Sequence, residues 1–303
     1  MLTALVPVFV IILLGYLLKR FPLIPYPSFW VGVERLTYFV LFPCLLFEKL
    51  AAASFYIGVA LPMAGSLILS ICSLSLLLFA CRPLLGLDGP AFTSVFQGSI
   101  RINTFVGLAG ASSLLGASGL TLSAVLLLGM IPLINLICVF ILVRYGSAQN
   151  SQPSDILLEI FRNPLILSCA IGFLYNLSHL PQPHALFLVF NLLGKAALPL
   201  GLLAVGAGLQ ISSLKNCGRG LLVSSAVKLI VFPLCTAAFC LLLQVQGEPR
   251  IVALIFSSIP TAVSAFILAR QLGGDIQLMA TIVTMQTLLS FLSMPLMLEI
   301  LGV

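Results

Sequence analysis

The sequence predicts an all-α polytopic membrane protein, with ten transmembrane helices arranged as two inverted repeats of five. Three observations point there. First, 61% of the 303 residues are apolar and 7% are charged, against roughly 25% charged in an ordinary soluble domain. A soluble fold of this size could not hide that much apolar surface, so lipid is the expected solvent. Second, apolar runs bounded by Pro, Gly and charges recur near 2–18, 33–50, 58–80, 91–115, 119–143, 164–179, 187–210, 219–243, 251–271 and 276–300. They are too long for strands, and most approach the ~20 residues that cross a ~30 Å hydrocarbon core as helix. Third, landmarks repeat in one register. Gly15-Tyr-Leu matches Gly172-Phe-Leu, Pro43 matches Pro199 and Asn103 matches Pro260, at separations of 157, 156 and 157 residues. With five spans per half the repeat must be inverted, which is the sequence mark of secondary transporters.

Taken in order, the first run, Met1–Leu18, has no basic residue before it and Lys19-Arg20 after it. It reads as a retained span rather than a secretory signal. The second run carries Pro43, and the third ends at Arg82-Pro83. The fourth contains a polar cluster, and the fifth stops at Arg144. A polar linker, 146–163, then divides a first half (1–145) from a second (164–303). Its Asp155-Ile-Leu-Leu-Glu-Ile-Phe segment is amphipathic, either an interfacial helix or a single helical turn. The sixth run follows Arg162-Asn-Pro, and the seventh carries Lys195 and Pro199. His179 and His184 flank Pro181 and Pro183 in the loop between them, and read as solvated loop histidines. Lys228 lies in the eighth run, Pro260 in the ninth, and Gly273-Gly-Asp275 precedes the tenth.

Charge sets the topology. The net charge is +6, but the 14 Lys and Arg are scattered singly or in pairs, so no basic patch suggests nucleic acid. Lys19, Arg20, Arg82, Arg144, Arg162, Lys215, Arg219 and Arg270 fall in odd-numbered loops, with only Lys49 and Arg250 opposite. That bias puts the odd loops in the cytoplasm and both termini on the outer side of an inner membrane. The eight cysteines form no CxxC and no Cys/His cluster. No metal, disulfide or cofactor is expected.

The chemistry concentrates in two runs. The fourth holds Gln97-Gly-Ser-Ile-Arg-Ile-Asn-Thr, the ninth Ser257-Ser-Ile-Pro-Thr. Each cluster lies about ten residues, ~15 Å, into its span, near mid-membrane. Pro260 cannot donate to the helix ladder, and unpaired backbone at that depth survives only against protein or a cavity. Arg101, Asn103, Thr104, Ser257, Ser258, Pro260 and Thr261 are therefore the candidate substrate-binding residues, with Pro43, Pro199 and Pro260 as candidate kinks or hinges. Arg101 at mid-span costs roughly 2.5–3.5 kcal/mol on insertion scales. Every Asp and Glu falls near a span end or in a loop, so none is expected beside it. It either meets an anionic substrate, for which its fork suits a carboxylate, or bonds the carbonyls freed by the opposite break. Lys195 and Lys228 are expected to snorkel.

These residues resemble the auxin efflux carrier family, which includes bacterial carriers of malonate and similar acids. The similarity runs along essentially the whole chain. It is most specific at Pro260-Thr-Ala-Val-Ser-Ala-Phe-Ile-Leu-Ala-Arg-Gln-Leu-Gly-Gly-Asp and at Leu193-Gly-Lys-Ala-Ala-Leu-Pro-Leu-Gly-Leu. In the fourth helix, Asn103-Thr-Phe-Val-Gly107 keeps the family's asparagine but is one position short, and Ala109 stands near an expected proline. The resemblance implies that helices 4 and 9 cross at the midplane. It also implies a scaffold of helices 1, 2, 6 and 7, a moving domain of helices 3–5 and 8–10, an elevator-like motion and a homodimer.

The function expected is a secondary transporter of a small organic anion. The alternatives are a sodium-coupled organic-anion symporter of bile-acid-transporter type and a non-transporting receptor, though the spans leave little room for a signalling domain. An intramembrane enzyme would want a Ser–His pair or facing aspartates within the spans. None is in place.

Overall fold

The computed structural model describes residues 2–21, 23–52, 57–147, 163–178, 180–215 and 218–303, and among these it is all-helical with no strand. Seven helical stretches are long and apolar enough to cross a membrane, and Pro164–Leu177 is a shorter apolar helix. Many large apolar side chains, among them Leu61, Leu76, Leu84, Leu222, Leu241 and Leu242, point outward. Such a surface suits lipid rather than water.

Helix α1 is Leu2–Arg20, ending in the Lys19-Arg20 pair. Helix α2, Pro27–Leu36, starts on a proline whose missing N–H costs nothing in a first turn. A wide π turn, Thr37–Leu41, joins it to α3, Phe42–Ala51. Pro43 clashes with the carbonyl four residues back, at Phe39, and the wide turn absorbs that clash. The same device recurs where α9, Arg219–Ala226, passes through a π turn at Val227–Val231 into α10, Phe232–Leu242, ahead of Pro233. The second run thus begins at Pro27, six residues before its expected start. That shift places Glu34 inside a helix rather than at its end.

Helix α4 is Ile57–Leu85. Helix α5, Gly89–Ile100, is capped by Asp88, whose carboxylate accepts from the Ala91 N–H at 2.8 Å. Arg101–Asn103 are not helical, and α6 runs from Thr104 to Tyr145. Within α6, Gly116 takes φ 61°, ψ −133° and breaks the direction of the chain, a backbone shape that only glycine adopts without strain. Helix α7 is Pro164–Leu177 and α8 is His184–Gly208. Helix α11, Gly247–Ser258, is separated from α12, Ser264–Leu272, by a second non-helical stretch, and α13 is Ile276–Ile300. The expected amphipathic segment 155–161 and His179 lie outside the described residues.

Two packing groups follow. In the first, α1 runs along α8 and α3 along α7 and α8. Small residues allow the contact: a Cβ on Gly15 would lie 2.1 Å from the Leu203 carbonyl oxygen, and one on Gly206 would lie 1.8 Å from that of Ile12. Gly172 sits against the backbone of Phe47 in the same way. Without water to drive association, such backbone approach is how membrane helices gain dispersion energy. In the second group, α4 packs on α10 and α6, α11 on α10 and α6, and α5 on α9 and α13. Its fully buried centre includes Phe92, Phe96, Phe232 and Phe256.

Several charges read as topology signals also close helix ends. Lys19 Nζ donates to the Ala207 carbonyl at 2.7 Å, and Arg250 Nη2 donates to the Leu301 carbonyl at 2.9 Å. Both satisfy terminal carbonyls that the helix ladder leaves open.

Candidate functional site

The two interruptions meet. The Asn103 N–H donates to the Pro260 carbonyl at 2.9 Å, so the extended strand after α5 lies against the one after α11. Thr261 fastens the crossing. Its Oγ1 lies 3.0 Å from the Gly98 carbonyl oxygen and 3.1 Å from that of Arg101, so one hydroxyl hydrogen is shared between them. Its N–H donates to Gln286 Oε1 at 3.1 Å, and Gln286 Nε2 donates to the Gly98 carbonyl at 3.0 Å and to Ser224 Oγ at 3.2 Å. Carbonyls stranded at the end of α5 are thereby answered by side chains, as buried backbone requires.

Arg101 is therefore not the fastener. It is 9% exposed, and its Nη1 is buried with no hydrogen-bond partner among the described residues. The guanidinium lies beside the Cys138 thiol and lines a cavity of about 110 Å³. Asn103 lines the same cavity: its Oδ1 accepts from the Val106 N–H at 3.3 Å and caps α6, and its buried Nδ2 has no partner among the described residues. Thr104 and Phe105, the first turn of α6, and Val263 and Ser264, the start of α12, complete the upper wall. Two helix N-termini thus face one small space, each presenting open N–H groups and the positive end of its dipole. An arginine, an amide donor and two helix starts thus present hydrogen-bond donors to one space.

The opposite wall comes mostly from the other packing group. Glu34 of α2, Tyr38 of the π turn after it, Asn163 at the start of α7 and Ala204 of α8 line the cavity, and Asn135 of α6 joins them from the group that carries Arg101. A wider vestibule of about 620 Å³ adjoins it, sharing Glu34, Arg101, Asn135, Asn163 and Ser264, and reaching Arg35 and Gln271.

Of the seven site residues expected from the sequence, Arg101, Asn103 and Thr104 line the cavity, while Pro260 and Thr261 build the crossing behind it. Ser257 and Ser258 do not join them. Their hydroxyls donate back to the Leu254 carbonyl at 3.0 and 2.7 Å, the local bond that serine makes inside helices. Lys195 is exposed, as a snorkelling lysine would be. Lys228 departs from that expectation. It is 0% exposed, its Nζ has no hydrogen-bond partner among the described residues, and it sits 4.4 Å from the centroid of the Phe232 ring. The π turn holding it packs against α5, α11 and α13, so the side chain has no path to a surface.

A family model described as membrane transport protein matches residues 1–298 of the chain. The chain belongs to that family, the auxin efflux carriers. It is also similar to a protein of Methanothermobacter thermautotrophicus named an uncharacterized transporter, with 29% identity over 133 residues. That stretch covers 44% of this chain and 44% of the relative, so the chain spans under half of the curated relative it matches. Membership of a transporter family is consistent with a multi-pass membrane protein that is not an enzyme.

Within this carrier, the sequence reading missed Glu34, Asn135 and Asn163. Glu34 was hidden by the misplaced start of its helix. Asn135 is a lone amide three residues after Pro132, and Asn163 reads as an ordinary helix cap, which it also is: its Oδ1 accepts from the Leu165 N–H at 3.0 Å. An asparagine deep in an apolar run was the one available signal.

Proposed function

We propose that the protein is a secondary transporter that moves a small organic anion through the crossing of its two broken spans. One observation carries the reading. Arg101 Nη1 and Asn103 Nδ2 are buried donors left unpaired at a cavity that two helix N-termini also face. A buried unsatisfied donor costs roughly 1–3 kcal/mol, more if charged, and a carboxylate in that space would recover it.

The rest of the architecture is proposed with it. Gly116 splits α6, and the breaks at 101–103 and 259–263 then fall within the fourth and ninth of ten spans. An inverted repeat is supported by paired contacts. The offset of 156 that maps Pro43 onto Pro199 also maps Phe47 onto Leu203, one residue from the 157 that maps Gly15 onto Gly172, and Gly15 meets Leu203 as Gly172 meets Phe47. Asn103 and Pro260, partners in that register, bond each other. The first packing group, α1, α2–α3, α7 and α8, would be the scaffold, and the second would move as an elevator. The basic-residue bias orients both termini outward in an inner membrane. It also makes the vestibule, with Arg35 and Gln271 at its rim, an inward-facing one. A homodimer through the scaffold completes the proposal.

The test is Arg101→Ala in reconstituted vesicles, after a thermal-shift screen of dicarboxylates, keto acids and aromatic acids has identified a ligand. Uptake should fall to the vesicle background while the protein stays monodisperse. Unchanged uptake would remove Arg101 from the site. Repeating the assay without sodium separates this carrier from a sodium symporter.

A further inference from the structure

We infer that the cargo is a small monocarboxylate bearing a hydrogen-bond donor, ammonium or hydroxyl, a few atoms from its carboxylate, and that Glu34 selects it. The inference rests on the anion-carrier reading and adds the chemistry of the cargo's other end.

Glu34 and Arg101 line the same cavity of about 110 Å³. No ion pair within 4.0 Å joins them among the described residues, where Glu48 and Lys49 do form one. Glu34 also takes no hydrogen bond from another described group, so the carboxylate at this wall is unclaimed among the described residues. Opposite charges held apart in a partly desolvated cavity are each poorly compensated. A molecule that offers an anion to Arg101 and a donor to Glu34 satisfies both at once. A dianion satisfies Arg101 but brings its second charge toward Glu34, and a plain monoacid leaves Glu34 unanswered. Rejection of this kind, through an unmatched charge, is an efficient source of selectivity.

The placement of the two charges strengthens the case. Arg101 belongs to the first interruption, at the end of α5, whereas Glu34 belongs to α2 in the other packing group. A ligand touching both therefore bridges the two groups. Asn135 and Asn163 stand on the same wall and can orient its middle. The vestibule adds Arg35, so it is net positive and draws an anion in before Glu34 sorts it.

The experiment compares four probes of matched size, alanine, lactate, propionate and malonate, by calorimetry on the full-length protein in detergent. Wild-type protein should bind alanine or lactate at least tenfold more tightly than propionate or malonate. Glu34→Gln, which keeps the shape and removes the charge, should abolish the preference for alanine over propionate and improve malonate binding at least tenfold. Lactate keeping its advantage in Glu34→Gln, where the amide oxygen still accepts from a hydroxyl, would assign the donor as hydroxyl. Glu34→Asp should preserve the wild-type ranking. Malonate binding the wild type as tightly as alanine and lactate, with an unchanged ranking in Glu34→Gln, would overturn the inference. Arg101→Ala separates the two levels: loss of all four probes there upholds the anion site whatever Glu34 does, and retention of all four rejects both.

Discussion

Lys228 and Arg101 show how differently two basic residues behave at similar depth. Arg101 was legible in the sequence, because a guanidinium beside helix-breaking residues at mid-span has few structural explanations. Lys228 was not, because a lysine on an apolar helix ordinarily snorkels, and only the packing of α5, α11 and α13 around its turn closes that route. Its ammonium has a ring face for company and no hydrogen bond among the described residues. A ring face offsets part of the desolvation of a buried cation, about 2 kcal/mol or somewhat more, against an effective penalty of several kcal/mol. Lys228→Met, which fills similar volume, should therefore stabilise the protein by about 1–4 kcal/mol. A melting curve in detergent reads this directly, and a lower melting temperature would mean that the ammonium has a partner in the folded protein. Ser257 and Ser258 teach the opposite lesson. Their position beside Pro260 was correctly read, but periodicity cannot tell a serine that faces a cavity from one that bonds its own helix.

At the scale of elements, the polar clusters around Asn103 and Pro260 located the interruptions to within a residue or two, whereas Pro199, expected to kink or hinge its span, lies inside the uninterrupted helix α8. Helix starts were read less well. Pro27 opens α2 inside a stretch, Phe21–Val33, that looks like a loop by composition, and that error concealed Glu34. The pairing of helices was partly legible: Gly15 was noticed for its place in a repeat, but its use, a backbone approach to Leu203, needed the partner helix. That contact is exacting. Gly206→Ala puts a methyl group 1.8 Å from the Ile12 carbonyl oxygen, where only backbone can give way. We expect it to cost about 3 kcal/mol, the upper end for overpacking, with a lower melting temperature and a loosened α1–α8 pair. Gly32→Ala is the control. Among the described residues nothing lies within 4 Å of its added Cβ, and alanine's better helix propensity, worth up to about 1 kcal/mol, should leave the protein at least as stable.

For the molecule as a whole, the proposed mechanism requires the two packing groups to slide, and one aromatic contact between them is flat. Phe42 of α3 and Phe105 of α6 stack with centroids 4.7 Å apart and planes 1° from parallel, a flat contact between opposite groups rather than an interlocked one. Gly201 of α8 lies under both rings. Elsewhere on that interface, Gly208 of α8 faces Val263, just before α12, and a Cβ on Gly208 would stand 3.8 Å from the Val263 Cβ. That separation is the mean for a disulfide. In a background with the native cysteines replaced, Gly208→Cys with Val263→Cys should oxidise readily and lock the groups in this arrangement. Uptake should drop to the vesicle background on oxidation and return on reduction, while either single cysteine stays active under both conditions. The sliding groups would be linked by one covalent bond at the wall of the cavity, so any motion of several ångströms between them would be blocked. Transport at the wild-type rate with the bond demonstrably closed would mean that the anion passes without relative movement of the two groups, and the carrier would then need a local gate within the crossing instead.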